Sequence, residues 1–331
     1  MQEKKRAARN RTLTVSADEA SILSKRCLKE PRQNLALHEA IDQIILDDTF
    51  NALNYLPHNS VDLLVVDPPY NLSKDYHGNK FDARKSCDYE AFTRAWLEKC
   101  IPLLKPSASI YVCCDWKSSL IIGTLLNDYF IIQNRITWQR EKGRGAKSNW
   151  KNGLEDIWFA TVSKKDYTFN LEAVKQRRKV IAPYKQDGKP KDWKETAGGK
   201  FRDTCPSNFW DDCTIPYWSM PENTDHPTQK PEKLVAKMVL ASSNPGDLIL
   251  DPFLGSGTTA VVAKKLSRSF IGIEQNELYC AWAMKRLDRA SRDITIQGYS
   301  DGVFWERNSL SSQKAVSKAT DIAQQSLVFA N

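Results

Sequence analysis

The chain has 331 residues, 41% hydrophobic and 27% charged, a composition that can bury a sizeable core and excludes a disordered polymer. No stretch approaches the roughly 18 apolar residues of a membrane span, and the basic opening, Met1 to Thr12, lacks a secretory apolar segment, so the cytosol is expected and no membrane partner is. Eight cysteines and four histidines lie scattered with no Cys-x-x-Cys pair, so neither a disulfide scaffold nor a metal is expected, and a net charge of +8 points to polyanions.

Residues 1–35 show little periodicity and read as a basic N-terminal arm. Ile41, Ile44, Ile45 and Leu46 form a short apolar strand that ends on Asp47-Asp48. A helix over 49–56 follows and breaks at Pro57-His58-Asn59. Val61–Val66 is an apolar run of the kind that sits in a parallel sheet covered on both faces. Phe92, Trp96, Leu97, Cys100, Ile101 and Leu104 recur at helical spacing over 89–104, ahead of Pro106. A buried strand over 109–114 and a helix over 118–129 come next.

From 140 to 225 this rhythm breaks into a segment rich in Gly, Pro, Lys and Trp, which reads as an insertion. It resumes with a helix over 232–243, a strand over 248–251, a helix after Gly257, a strand over 269–274 and a helix over 277–290. Residues 294–331 are polar and carry no assignment. Strand and helix in alternation predict an α/β fold with a doubly wound, Rossmann-like sheet, its core made by 36–139 and 226–293.

The charge is concentrated. Between Arg135 and Thr204 there are 18 Lys and Arg against 9 Asp and Glu, an excess of 9 that accounts for the whole net charge. Trp138, Trp150, Trp158, Trp193 and Tyr184 are interleaved with these cations. Cations for phosphates and rings for bases suit nucleic acid, although a solvated lysine-rich face would look the same. Arg140, Lys142, Arg144, Lys147, Arg177, Arg178 and Lys179 are the candidate phosphate contacts.

Two motifs carry the chemistry. Asp67-Pro68-Pro69-Tyr70 follows the Val61–Val66 run, at the carboxyl end where open α/β sheets place their sites. The prolines stiffen an extended turn, so that the Asp67 carboxylate and the Pro68 carbonyl can converge on one small group. Two acceptors suit an amine with two hydrogens, and Tyr70 offers a planar face. The second motif, Asp251-Pro252-Phe253-Leu254-Gly255-Ser256-Gly257-Thr258-Thr259, straddles a strand end and a helix start, where glycines let backbone amides approach a ligand. Nineteen residues past Gly255, a strand ends on Glu274, a spacing that suits ribose hydroxyls. The third glycine of a dinucleotide fingerprint is absent, Ala260 standing there, and no P-loop lysine follows.

Together these motifs resemble the amino-methyltransferases of DNA. In that family a D/N/S-P-P-Y/F motif holds the target amine and an F-x-G-x-G turn holds S-adenosylmethionine. The catalytic motif precedes the cofactor motif here, with a basic region between, as in the circularly permuted beta group. His226-Pro227-Thr228-Gln229-Lys230-Pro231 is similar to the segment preceding that group's cofactor motif. The resemblance runs from about 44 to 287.

It implies S-adenosylmethionine as cofactor, double-stranded DNA as substrate, base flipping, and DNA modification of the restriction–modification kind. A homodimer is compatible with it. It casts Asp67, Pro68, Pro69 and Tyr70 as the catalytic turn and 140–225 as the target-recognition insertion. Asp48 would lie near the cofactor's adenine, and Asp251, Phe253, Gly255, Ser256, Gly257 and Thr258 would cradle its methionine and ribose. Glu274 would bind the ribose. Thr228, Gln229 and Lys230 would lie near the methionine carboxylate, with a surface role open for Lys230.

Asp at the head of the motif points to the N6 amine of adenine rather than the N4 amine of cytosine, whose enzymes usually open with serine. Methylation of RNA or of a protein glutamine, usually headed by Asn, competes with this reading, as does a non-catalytic DNA-binding protein. Cys113 and Cys114 precede no proline and Cys205-Pro206 lies far from the motifs, so covalent catalysis through cysteine is disfavoured.

Overall fold

Consecutive side chains of a strand point to opposite faces, so a strand that is apolar throughout must be covered on both. The computed structural model describes residues 7–29, 35–140, 149–181 and 184–316. Eight of its strands form one sheet, in the order Gln43–Leu46, Ser269–Glu274, Leu248–Asp251, Val61–Val66, Leu104–Cys114, Leu154–Thr161, Ile131–Gln139 and Phe209–Trp210. Ile44, Leu63, Val65, Ile249 and Phe270 face a core shared with the helices Glu232–Ser242, Thr258–Lys265 and Glu277–Ala290. Their neighbours Ile45, Leu64, Val66, Leu250 and Ile271 face a second core, beneath the helices Ser86–Cys100 and Trp116–Tyr129. The doubly wound fold expected from the alternation is the fold observed.

Five adjacent strands, from Gln43–Leu46 to Leu104–Cys114, are parallel. The chain winds outward from Val61–Val66 in one direction and from Leu248–Asp251 in the other. These two strands pair directly, Ile249 opposite Leu63 and Leu250 opposite Leu64. Such a reversal of winding opens a crevice at the strand ends.

Two expectations about organisation need correcting, and the unassigned tail finds its place. The stretch 140–225 is not one insertion, because Leu154–Thr161 runs antiparallel inside the central sheet and Phe209–Trp210 extends its edge. Glu155 and Asp156 interrupt its apolar pattern, yet both are buried. Of what remains, Lys185–Gln186 and Lys189–Pro190 pair with each other, and three strands join a second sheet, in the order Lys194–Thr196, Gly199–Thr204, Gln176–Lys179, Val303–Trp305 and Tyr299–Ser300, so the tail from 294 supplies two of its strands.

The described part of the N-terminal arm is folded onto the core. Leu13 N donates to the Asn223 carbonyl at 2.8 Å, and Ser16 caps the helix Ala17–Ser24, which lies against Glu277–Ala290. Arg26 adds a two-point pair with Asp288 at 2.7 and 2.8 Å.

The second sheet is latched to the core by buried charge. Lys233 and Lys237 of the helix Glu232–Ser242 both reach the carboxylate of Asp212. Lys233 also donates to the carbonyls of Asp212 and of Trp305, which belongs to the second sheet. Lys237 lies against the rings of Trp210 and Phe304, 5.0 and 5.5 Å from their centroids.

Candidate active site

Parallel strands present their carboxyl ends on one side, and an acid stands at or just past the end of each; four of these acids come together. Asp48 follows Gln43–Leu46, Glu274 closes Ser269–Glu274, Asp251 closes Leu248–Asp251 and Asp67 follows Val61–Val66. All four line one cleft of about 560 Å³. Its size is that of a small-molecule site. Pro68, Pro69 and Tyr70 line it next to Asp67, Phe253, Gly255, Ser256 and Thr258 next to Asp251, and Thr228, Gln229 and Lys230 complete the lining.

At the glycine turn, Gly255 adopts φ +56°, and a Cβ there would come 3.1 Å from Nε2 of His226. Its N–H donates to Glu274 Oε2 at 2.9 Å, and Asn276 N donates to Oε1 at 2.7 Å. Burial raises the Glu274 carboxyl to about 7 despite these bonds. Asp251 shapes the turn: it accepts from Phe253 N at 3.0 Å and from Thr259 Oγ1 at 2.6 Å. Burial pushes this carboxyl up to about 7 as well.

Asp48 caps the helix Thr49–Ala52, accepting from Phe50 N at 2.9 Å. Phe253 stands in an aromatic wall with Phe92 and Trp96, their centroids 6.4 and 5.8 Å away.

Gly257 departs from expectation. It does not line the cleft; with φ +85°, a Cβ there would meet Cβ of Ala283 at 2.5 Å. The glycine lets the turn lie flat on the helix Glu277–Ala290 rather than making room for a ligand. Gln229 is likewise committed inside the protein, bonded to Thr224 N, Thr224 Oγ1 and the Glu222 carbonyl at 2.9, 2.7 and 2.7 Å. Thr258 Oγ1 donates to the Lys230 carbonyl at 3.1 Å.

The Asp67–Tyr70 turn is braced from behind. Tyr89 OH donates to the Pro69 carbonyl at 3.1 Å, and Asn71 N donates to Ser118 Oγ at 3.3 Å. In front of it, Lys230 Nζ contacts both oxygens of Asp67 at 2.7 Å. Lys230 is therefore not a surface lysine: its side chain is only 8% exposed, and its charge faces Asp67 at 2.7 Å and Glu155 at 3.4 Å.

The Tyr70 hydroxyl lies 3.0 Å from Asp67 Oδ1 and 3.0 Å from Glu155 Oε2, so its single proton serves one carboxylate at a time. Burial raises the Asp67 carboxyl above its ordinary range, with Lys230 opposing the shift and Glu155 adding to it. Burial alone would lower the Lys230 ammonium, but Asp67 and Glu155 hold it raised and charged.

Sequence reasoning missed Glu155 and did not single out His226 within its motif. His226 packs edge-on to Tyr279, their centroids 4.4 Å apart, and burial lowers its ring to about 3, so it is neutral near pH 7. The Cys113 thiol lines the same cleft but burial pushes it well above its ordinary range, which suits an inert side chain.

The candidate DNA contacts scatter. Arg140 pairs with Glu155, and Arg177 makes a two-point pair with Asp203 at 2.7 Å while covering the Trp305 ring. Arg178 bonds Gln176 and lies 3.6 Å from Asp211, whereas Lys179 is exposed. Lys142, Arg144 and Lys147 fall outside the described residues. Among the described residues no cluster of His, Cys, Asp or Glu could hold a metal ion, and no helix is long and apolar enough to cross a membrane.

Comparison with known proteins adds an independent line. The family model described as DNA methylase matches residues 61–285. The chain is 38% identical over 248 residues to the Type II methyltransferase M.HpaI of Haemophilus parainfluenzae, covering 74% of each chain. It is 35% identical over 255 residues to the DNA adenine methyltransferase YhdJ of Escherichia coli (strain K12), covering 75% of this chain and 83% of that one. Its fold is similar to that of the PvuII DNA methyltransferase (cytosine-N4-specific), with TM-score 0.54 at 18% identity over 76% of this chain and 92% of the other. It is also similar to M1.HpyAVI solved in complex with SAM, with TM-score 0.51 at 24% identity over 74% and 98%.

Proposed function

The chain belongs to the DNA methylase family, and we propose that it transfers a methyl group from S-adenosylmethionine to the exocyclic N6 amine of adenine at a specific site in DNA. Methyl transfer to DNA with this cofactor is the activity of the family. The adenine assignment rests on Asp67 at the head of the catalytic turn, set beside the glycine turn of the adjoining strand. The likeness to an adenine methyltransferase at 35% identity supports it.

The cleft fits the cofactor. Glu274 would accept from the ribose hydroxyls, Asp48 would lie toward the adenine, and the Gly255 turn, which lines the cleft, would bring its backbone close to the sugar and methionine. S-adenosylmethionine supplies an electrophilic methyl group. Residues of the chain do the rest. A target base stacked in a duplex must be flipped out, at a cost of a few kcal/mol that stacking on Tyr70 and phosphate contacts offset. Its amine lone pair is delocalised into the ring. Accepting hydrogen bonds from that amine, Asp67 and the Pro68 carbonyl favour the pyramidal form whose lone pair can attack in line. The Tyr70 hydroxyl yields its place on Asp67 as the amine arrives. Catalysis is positioning and electrostatics, with no covalent enzyme intermediate.

The proposal is tested by incubating the protein with labelled S-adenosylmethionine and host plasmid, then digesting to nucleosides. N6-methyladenine is expected; N4-methylcytosine alone, or no label in DNA, overturns it.

A pH dependence follows from Glu274. Hydroxyl donors favour its anion, and in the free cleft that anion forms only as pH rises through about 7. Cofactor affinity should therefore weaken as pH falls from 8 toward 6, with proton release on binding near neutrality, as calorimetry in buffers of different ionisation heat would show. Glu274→Gln should flatten the curve. A curve unchanged in that variant would assign the effect elsewhere, Asp251 being the other carboxyl poised near neutrality.

For the DNA surface, Arg178 and Lys179 are the described cations proposed to meet phosphate, while Arg177 serves the second sheet through Asp203. Replacing Arg178 and Lys179 with Ala should lower the slope of log affinity against log salt by about 0.9 per lost contact. An unchanged slope would remove this strand from the interface. A homodimer and a cytosolic location are compatible with the proposal.

A further inference from the structure

Glu155 stands at the start of Leu154–Thr161, the strand that runs against both its neighbours in the central sheet. Reversal brings the amino end of that strand to the side where the parallel strands end, and so brings Glu155 to Asp67. Its side chain is 4% exposed, and a carboxylate held that far from water needs partners to replace it. Arg140 takes Oε1, while Oε2 lies 3.0 Å from the Tyr70 hydroxyl and 3.4 Å from Lys230 Nζ. Lys230 is thus shared between two carboxylates, and Tyr70 between the same two.

We propose that Glu155 is a positioning residue of methyl transfer, which draws part of Lys230 and of the Tyr70 hydroxyl away from Asp67 and so leaves Asp67 able to take up the target amine. This rests on the reading of Asp67 as amine acceptor. A carboxylate gripped at both oxygens by an unshared ammonium would be a poor acceptor for a neutral amine. With the ammonium divided, part of the Asp67 charge is left to the substrate. Glu155 needs no contact with the base to have this effect.

The groups facing Asp67 come from every neighbouring element. Lys230 precedes the helix Glu232–Ser242, Tyr70 belongs to the catalytic turn, Lys74 to the hairpin after it, Cys113 to Leu104–Cys114 and Asp251 to Leu248–Asp251. Arg140 stands behind Glu155, and His226 faces Lys230. Glu155 raises the Asp67 carboxyl and Lys230 lowers it. Removing one charge or the other should therefore move the titration of Asp67 in opposite directions.

The test is the pH profile of methyl transfer to DNA with S-adenosylmethionine saturating, so that the effect of Glu274 on cofactor affinity drops out and the acidic limb reports Asp67 in the enzyme–cofactor complex. Glu155→Gln keeps the shape of the side chain and loses its charge. It should lower kcat by on the order of tenfold to a hundredfold, as a misplaced reacting group does. It should also move the acidic limb of kcat/KM down by about one pH unit. Lys230→Met should move the limb up, and Glu155→Asp, which retains the charge, should leave it in place.

A limb in Glu155→Gln that superimposes on that of the unaltered protein would overturn the proposal, leaving Glu155 a structural residue. If Glu155→Gln does not fold, an upward shift in Lys230→Met together with none in Glu155→Asp carries the test, and a shifted limb in Glu155→Asp overturns it. Asp67→Ala is measured alongside: turnover surviving there would remove the reading of Asp67 itself, whereas an inactive Asp67→Ala with an unshifted Glu155→Gln would remove only the role of Glu155.

Discussion

Asp67→Ala should lower methyl transfer by on the order of a thousandfold, the scale of losing one preorganised polar group aimed at the reacting atom. Binding of S-adenosylmethionine should change little. Asp67 lies one strand away from the Gly255 turn and two from Glu274, away from the proposed ribose contact. Its loss leaves Lys230 with Glu155 at 3.4 Å, so one carboxylate still faces the buried ammonium and the fold is retained. Label transfer to DNA, together with the thermal shift produced by the cofactor, separates the two effects. Near-normal turnover in this variant would remove Asp67 from the chemistry.

Asp212→Ala should cost about 3–5 kcal/mol of stability, because it strips the shared carboxylate from two buried ammonium groups. The side chains of Lys233, Lys237 and Asp212 are 9%, 3% and 1% exposed, so water cannot take the carboxylate's place without opening the seam between core and second sheet. Burial alone would raise the Asp212 carboxyl, but Lys237 and Lys233 outweigh it and hold the group below the usual carboxylate range. A depressed native value stabilises the fold above the unfolded value near 3.9 and is lost as pH falls through the native one. Urea unfolding should show the unaltered protein losing stability in acid below about pH 4, and the variant should lack that part of the loss. A variant with an unchanged midpoint at pH 7 would mean that the two lysines are solvated.

What was legible in the sequence was what a single periodicity or a rigid turn announces. Residues 63–66, 248–250 and 270–273 are apolar on both faces, and the ends of their strands are marked by Asp-Pro-Pro-Tyr, Asp-Pro-Phe and Glu274. Leu154–Thr161 escaped because Glu155 and Asp156 break its pattern, and only the reversal of that strand explains why a buried carboxylate belongs there. Val303–Trp305 escaped for the opposite reason, as a three-residue apolar island in a polar tail.

Gly257 shows how a motif can be read correctly and its cause missed. The glycine was expected beside a ligand, but the space it leaves is filled by Ala283, and no local signal distinguishes those two neighbours. Lys230 is similar. Its motif placed it near the cleft, while its attachment to Asp67 depends on a contact spanning 163 residues.

The structure of this chain with S-adenosylmethionine bound, solved without DNA, tests the central claim most directly. The two strands Val61–Val66 and Leu248–Asp251 are held to make one methyl-transfer site. The ribose hydroxyls should then lie on Glu274, the methionine against the Gly255 turn, and the sulfonium methyl toward Asp67 and Tyr70. A cofactor seated in the separate cavity beside Glu222 and Arg286, or one whose methyl turns away from Asp67, would contradict it.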